Sequence, residues 1–187
     1  MTTICSGSIN NCKEVNSIQF SEDSSLLKIE NKAFYNCAIY SISLPSNVCE
    51  LEENWIYDVC LSEIRVNSAN PYFKSYEDHF LLAKSNKEKE DFDVLILSVT
   101  AIKKVVIPDF IEIISSSFFN YDTKLNTVQF SSKSKLRKIE EGAFSLCEIE
   151  MINIPASCIE LVDGWFNNIN EIEIDPKNEN YKLYENK

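Results

Sequence analysis

The chain repeats itself. Shifted by 110 residues, positions 15–55 fall on 125–165 without a gap, and 18 of the 41 pairs are identical. Beyond Trp55 and Trp165 the second copy drops two residues, after which RVNSANPYFKSY runs beside EIDPKNENYKLY. A fixed internal period is the signature of stacked supersecondary units rather than of a globule built around one closed centre.

Each copy subdivides. Strand-like triplets recur at Ile18-Gln19-Phe20, Ile42-Ser43-Leu44, Ile64-Arg65-Val66, Val105-Val106-Ile107, Val128-Gln129-Phe130, Ile152-Asn153-Ile154 and Ile172-Glu173-Ile174, with third residues stepping by 24, 22, 41, 23, 24 and 20. Alternation of apolar, polar and apolar residues in all but Val105-Val106-Ile107 marks strands with one face inward.

A fixed spacing follows each triplet. Where proline closes it (Pro45, Pro108, Pro155), an aliphatic residue arrives after seven positions (Leu51, Ile114, Leu161) and a large apolar one after twelve (Ile56, Phe119, Phe166). Where a polar SEDSS or SSKSK stretch lengthens the turn, the distances become nine and fourteen, at Ile29 and Phe34 and at Ile139 and Phe144. Proline suits the end of a strand because it supplies no ladder donor. The A-F-x-x-C segments predict one helical or 3₁₀ turn on the side opposite the triplets.

A unit this short cannot close a core alone, so its apolar edges must be covered by the units before and after it. The expected fold is a right-handed solenoid with one parallel β-sheet on one face and short helical or 3₁₀ turns and loops on the other. The step of 41 predicts a β-hairpin insertion near residues 72–100, formed by FLLA and DVLILS around an exposed KSNKEKEDFD loop. Residues 1–14 read as a cap or poorly ordered lead-in. Residues 15–187 read as one solenoid, with repeats at 15–37, 38–60, 61–100, 101–123, 124–147, 148–170 and a truncated 171–187. The second copy reaches Lys187 without its hairpin, which predicts either a segment of a longer array or a terminus that meets a partner.

Composition narrows function. Eighteen Lys and Arg against 29 Asp and Glu give a net charge of −11, which argues against a phosphate-tracking nucleic-acid surface. No apolar run reaches the ~18 residues of a membrane span. The amino terminus lacks the basic and apolar regions of a secretory signal, which by itself predicts a cytoplasmic chain. Seven cysteines without a C-x-x-C pair predict free, mostly buried thiols, with a disulfide between neighbouring coils as the alternative.

Little here supports catalysis. His79 is the only histidine, and beside Glu77 and Asp78 it reads as a solvated loop end, because adjacent residues rarely converge on one metal or nucleophile. Cys37 and Cys147 sit at matching repeat positions and read as core thiols. Three glycines cannot write a P-loop or a dinucleotide fingerprint. Pairs such as Glu52-Glu53 and Glu140-Glu141 read as solubilising the outer face. Trp55 and Trp165 read as packing residues. No metal or cofactor is expected.

The strings KIENKAFYNC, SISLPSN, KIEEGAFSLC, INIPAS and VNSANPYF resemble the BspA-like branch of the leucine-rich repeat proteins, over nearly the whole chain from Val15 onward. The glycine usual before A-F is replaced by Asn31 and Glu141, with Lys32 and Gly142 next to the alanine. The resemblance implies a leucine-rich-repeat solenoid without catalytic activity, a surface-antigen type of protein that adheres to host cells or matrix proteins, and hence a cell-surface location. Its binding surface would be the concave sheet, presenting Gln19, Ser43, Arg65, Lys104, Val106, Gln129, Asn153 and Glu173 to a protein partner. The alternative function is that of a structural segment in a longer or self-assembling array, associating end to end or serving as an intracellular scaffold.

Overall fold

The computed structural model describes residues 1–99, 103–116 and 125–182, with Leu146 described by its backbone alone. The chain opens with β1 (Thr3–Ile4) and β2 (Ile9–Asn10). Two coils follow, one with β3 (Ser17–Ile18), β4 (Lys28–Ile29) and β5 (Phe34–Tyr35), the next with β6 (Ser41–Leu44), β7 (Glu50–Leu51) and β8 (Ile56–Tyr57). β9 (Glu63–Val66) leads into a meander of β10 (Phe73–Tyr76), β11 (Phe80–Ala83) and β12 (Val94–Ser98). Coiling resumes with β13 (Lys104–Ile107) and β14 (Ile113–Ile114), then β15 (Thr127–Phe130) and β16 (Lys138–Ile139). β17 (Phe144–Ile154), β18 (Glu160–Leu161) and β19 (Phe166–Ile174) complete it.

The spacing read from the sequence maps onto the ladders. Residues seven or nine positions after the triplets pair in parallel, Ile29 with Leu51 and Ile114 with Ile139, and Ile139 in turn with Leu161. Residues twelve or fourteen positions after pair likewise, Phe34 with Ile56 and Phe144 with Phe166. Phe119 lies outside the described residues. Where a coil is described in full it has three rungs, as in β3, β4 and β5 or β6, β7 and β8, and the molecule is a β-solenoid of parallel sheets interrupted by the antiparallel insertion.

The expected helical or 3₁₀ turns are not helical. Among the described residues no helix occurs, and Phe34–Tyr35 of A-F-x-x-C is strand β5. The reason lies in where the amides point. Phe34 N donates to Trp55 O at 3.1 Å and Asn36 N to Tyr57 O at 3.0 Å, so these donors run sideways into the next coil rather than along the chain. A left-handed corner precedes the rung, at Gly7, Lys32, Asn54, Gly142 and Gly164 with φ of 66°, 52°, 54°, 69° and 74°. That column is stitched by Gly7 N to Lys32 O, Lys32 N to Asn54 O and Gly142 N to Gly164 O, at 3.2, 2.9 and 2.9 Å.

The single sheet expected from the triplets is broken in two. β3, β6 and β9 form one block, and β13, β15, β17 and β19 form another. Between them stands the insertion. The expected hairpin is present as antiparallel β11 and β12, extended by β10, and β12 then rejoins the solenoid in parallel with β14.

Both faces of this wall are apolar, so it divides the core. Leu81 and Leu97 pack with Ile29, Phe34 and Ile64 in the amino-terminal cluster. Phe80, Leu82 and Leu95 pack with Ile114, Ile139 and Phe144 in the carboxy-terminal one. A bulge between Leu81 and Leu82 skips one residue of β12, which turns both Ile96 and Leu97 toward the amino-terminal side. Full burial of each such aliphatic or aromatic side chain contributes about 1.5–3 kcal/mol. The duplication repeats aromatic packing as well: Phe34 meets Trp55 edge-on at 6.0 Å and 78°, and Phe144 meets Trp165 at 6.0 Å and 81°.

Candidate interaction face

The outward row of the triplets lies on two patches. In the first, Ser43 and Arg65 are register partners on β6 and β9, and Gln19 follows the end of β3. Arg65 is ion-paired to Glu63, which also accepts a hydrogen bond from Ser41 Oγ at 3.2 Å. In the second, Lys104 and Val106 on β13 stand beside Thr127 and Gln129 on β15, and Asn153 on β17 stands beside Glu173 on β19. The structure therefore brings Lys104, Val106, Gln129, Asn153 and Glu173 together on one block and Gln19, Ser43 and Arg65 on the other.

The residues differ in what they have left to offer. Asn153 is committed to its neighbour: its Oδ1 accepts from Phe130 N and its Nδ2 donates to Phe130 O, each at 3.0 Å. Val106 is 57% exposed although it sits mid-strand between buried Val105 and Ile107. The pleat explains this, because successive side chains of a strand leave on opposite faces even where every residue is apolar. Gln19, Arg65, Lys104 and Glu173 are exposed, and Ser43 and Gln129 are half-buried.

A groove of 310 Å³ marks the break in the solenoid, lined by Leu51, Trp55, Phe73, Ile96, Leu97 and Ser116 among others. It lies where β7 is the last strand of its sheet and β12 begins the pairing with β14. Among the described residues no group of three or more His, Cys, Asp and Glu side chains could hold a metal ion. Nor is any helix there long and apolar enough to cross a membrane. His79 sits at the exposed turn between β10 and β11, after Glu77 and Asp78 in left-handed conformations with φ of 52° and 56°.

Three sequence readings need amendment. None of the cysteines is in a disulfide, but only Cys37, Cys147 and Cys158 are buried; Cys12 is half-buried and Cys5, Cys49 and Cys60 are exposed. Thin coils leave many positions at corners that no neighbouring unit covers. Burial pushes the Cys158 thiol up to about 11, so it is an inert core group. The glutamate pairs also divide in two. Glu53 and Glu141 are exposed, whereas Glu52 Oε2 accepts from Asn31 N at 2.9 Å and Glu140 Oε2 from Ser116 N at 3.3 Å. Glu30 does the same for Ser6 N at 3.0 Å, so each carboxylate of this column holds the corner of the preceding coil.

The exposed loop hides a buried anchor. Asp93 is 3% exposed, and its carboxylate accepts from Ser85 N at 2.8 Å, from Ser85 Oγ at 2.6 Å and from Lys89 Nζ. Burial works to raise this carboxyl, but the hydrogen bonds from Lys89 and Ser85 outweigh it and hold it below its ordinary range. The charged residues of the loop gave no sign that one of them turns inward; its adjacency to the apolar VLIL run was the only signal. Trp55 and Trp165, read as packing residues, are 5% and 7% exposed.

The model for the BspA type leucine rich repeat region matches residues 1–82 and 96–185 in six copies. No curated protein matches. Among solved structures, the chain is similar to a leucine rich cell surface protein from Faecalibacterium prausnitzii, at 18% identity over 93% of this chain and 57% of that one, with a TM-score of 0.62. It is similar to the pneumococcal vaccine antigen PcpA at 19% identity, over 92% of this chain and 47% of that one, with a TM-score of 0.67. A leucine-rich repeat protein from Eubacterium ventriosum gives 18% identity, 81% and 41% coverage, and a TM-score of 0.60. At these identities the likeness is one of fold, and the chain spans about half the length of these solved relatives.

Proposed function

Because the chain belongs to the BspA-type leucine-rich repeat family, we propose that it is a non-catalytic adhesion solenoid that binds a host or matrix protein through the outward face of its triplet strands. The observation that carries this reading is the uncovered sheet face itself. Val106, 57% exposed in mid-strand, is flanked by Lys104 and Gln129, which gives an apolar centre with polar surroundings of the kind interfaces use. Two solved structures of similar fold, a cell surface protein and a vaccine antigen, support a surface setting for the same architecture. Binding would rest on shape and area, with a few anchors dominating.

The test is a binding assay of the intact chain against immobilised extracellular-matrix glycoproteins. Saturable binding should weaken at least tenfold, about 1.4 kcal/mol, in a variant carrying Arg65→Ala, Val106→Ala and Lys104→Ala. Asn153 is left in place because it bonds to the backbone of Phe130. Unchanged affinity in a folded variant, or no binding to any matrix protein, would overturn the reading.

A second reading is favoured by one feature. Among the described residues β19 is the last strand of its sheet, with half-buried Ile169, Ile172 and Ile174 along it. Such an edge suits end-to-end association of repeat units. Light scattering that stays monomeric as concentration rises would count against it.

A further inference from the structure

We propose that Cys12 and Cys37 are a modification site: exposed to a small-molecule disulfide, they close into an intramolecular disulfide that fastens the first rungs of the solenoid to the next coil. The two cysteines occupy one position on adjacent coils. β2 and β5 pair in parallel, Ile9 with Phe34 and Asn10 with Tyr35. The register continues past the strands, because Asn11 N donates to Tyr35 O at 2.9 Å, Asn36 Nδ2 to Asn11 Oδ1 at 2.6 Å and Ala38 N to Cys12 O at 3.1 Å. Partners in such a ladder stand about 4.8 Å apart with side chains on the same side. That separation lies inside the roughly 4.4–6.8 Å between Cα atoms that a disulfide requires.

The two sulfurs hold matching places on their coils: Cys37 Sγ is 3.3 Å from Tyr35 O and Cys12 Sγ 3.6 Å from Asn10 O, two residues back in each case, and Cys37 Sγ also lies 3.2 Å from Ile9 O of the neighbouring coil. The Cys37 thiol is pushed up, chiefly by burial, and the Cys12 side chain is a further contributor. The other cysteines of this region have no such partner in register: Cys5 stands opposite Glu30, and Cys49 opposite Leu27.

Exposure assigns the order of events. Cys12 is half-buried and Cys37 is 4% exposed, so the reagent meets Cys12 first. The Cys12 thiolate attacks one sulfur of the small disulfide and expels a thiolate, leaving a mixed disulfide. Cys37, losing its proton, attacks the Cys12 sulfur and expels the second thiolate. Two protein thiols are oxidised, one small disulfide is reduced to two thiols, and the two S–H protons pass to those leaving groups.

The structural consequence falls where covering is thinnest. Ile9, Cys12, Val15, Ile18 and Phe20 are only partly buried against the amino-terminal core. A covalent link at this end would hold β2 in place.

The test uses the full chain with Cys5→Ser, Cys49→Ser and Cys60→Ser, which removes the exposed thiols. After incubation with glutathione disulfide at mildly alkaline pH, mass spectrometry should find a product lighter by two hydrogens without an adduct, and peptide mapping should join Cys12 to Cys37. Its thermal midpoint should exceed that of the reduced protein by roughly 6–12 °C. Adding Cys12→Ser should abolish both the cross-link and the shift; this position is half-buried, so the variant keeps the test valid even where Cys37→Ser does not fold. A glutathione adduct that persists on Cys12, a thiol pair left unreacted, or a cross-link through Cys147 or Cys158 would overturn the proposal.

Discussion

Asn70 and Asn178 make the same four hydrogen bonds in the two copies of the duplicated unit. Asn70 Nδ2 donates to Pro45 O and Val48 O, each at 2.9 Å, while its Oδ1 accepts from Tyr72 N and Phe73 N at 2.8 and 2.9 Å. Asn178 Nδ2 donates to Pro155 O and Cys158 O at 2.8 and 3.1 Å, and its Oδ1 accepts from Asn180 N and Tyr181 N at 2.8 and 2.9 Å. Both are buried, 6% and 3% exposed. Each amide ties the proline turn of one coil to the turn of the following coil, which no apolar side chain could do.

Replacing Asn70 by alanine strands two carbonyls and two N–H groups in a buried turn, at about 1–3 kcal/mol for each group that water cannot reach. Urea unfolding of Asn70→Ala should show a loss of at least about 2 kcal/mol. Asn70→Asp should be no better, because a carboxylate offers the two carbonyls no donor. A loss under about 0.5 kcal/mol for either variant would mean that the turn is not held this way.

The left-handed column makes an opposite pair of predictions. Lys32 carries a φ of 52° at a corner where its equivalents include Gly7, Gly142 and Gly164. Lys32→Gly should stabilise by up to about 1 kcal/mol, the cost of holding an L-residue left-handed, less its contact over the Tyr57 ring at 5.3 Å. Gly142→Ala should destabilise by about 1–2 kcal/mol. Its new Cβ would lie 3.1 Å from Ser145 Oγ at a φ of 69°. Calorimetry showing Lys32→Gly clearly less stable would refute the strain argument.

Leu81 and Leu82 are neighbours that serve different cores. Each truncation to alanine should cost about 2–5 kcal/mol. The location of the damage should differ: in hydrogen exchange, Leu81→Ala should lower protection mainly in β4 to β9, and Leu82→Ala mainly in β13 to β18. Identical exchange patterns would show that the wall does not separate the two halves energetically.

Asp93 sets an acid limit. Its folded carboxyl lies below the ordinary range, so as pH falls the unfolded chain takes up this proton first. The stabilisation is complete above about pH 4 and is lost as pH drops toward the depressed folded value. Asp93→Asn should be less stable near neutrality and flatter between about pH 4 and 2. Parallel stability curves for the two proteins would exclude Asp93 as a contributor.

Much of the architecture was legible. Spacings of seven and twelve, or nine and fourteen, located Leu51 with Ile29 and Ile56 with Phe34 before any pairing was known. They could not say that Phe34 begins a strand, because a short apolar segment has no period long enough to separate strand from helical turn. Only the sideways hydrogen bonds of neighbouring coils decided that. Likewise Asn70 was visible in NSANPYF, which runs beside DPKNENY in the second copy, but two of its four bonds go to carbonyls of the preceding coil, more than twenty residues away.

The amino-acid order by itself determined that the chain must stack, because units that leave apolar edges on both sides are stable only against their own kind. It also determined which residues point outward on the triplets, since a pleated strand alternates. Tertiary structure alone decided that the stack is cut into two blocks. The insertion carries apolar residues on both faces, so burying one in the cluster that holds Phe34 and the other in the cluster that holds Phe144 requires it to stand across the core, and that choice depends on two halves of the chain meeting the same wall.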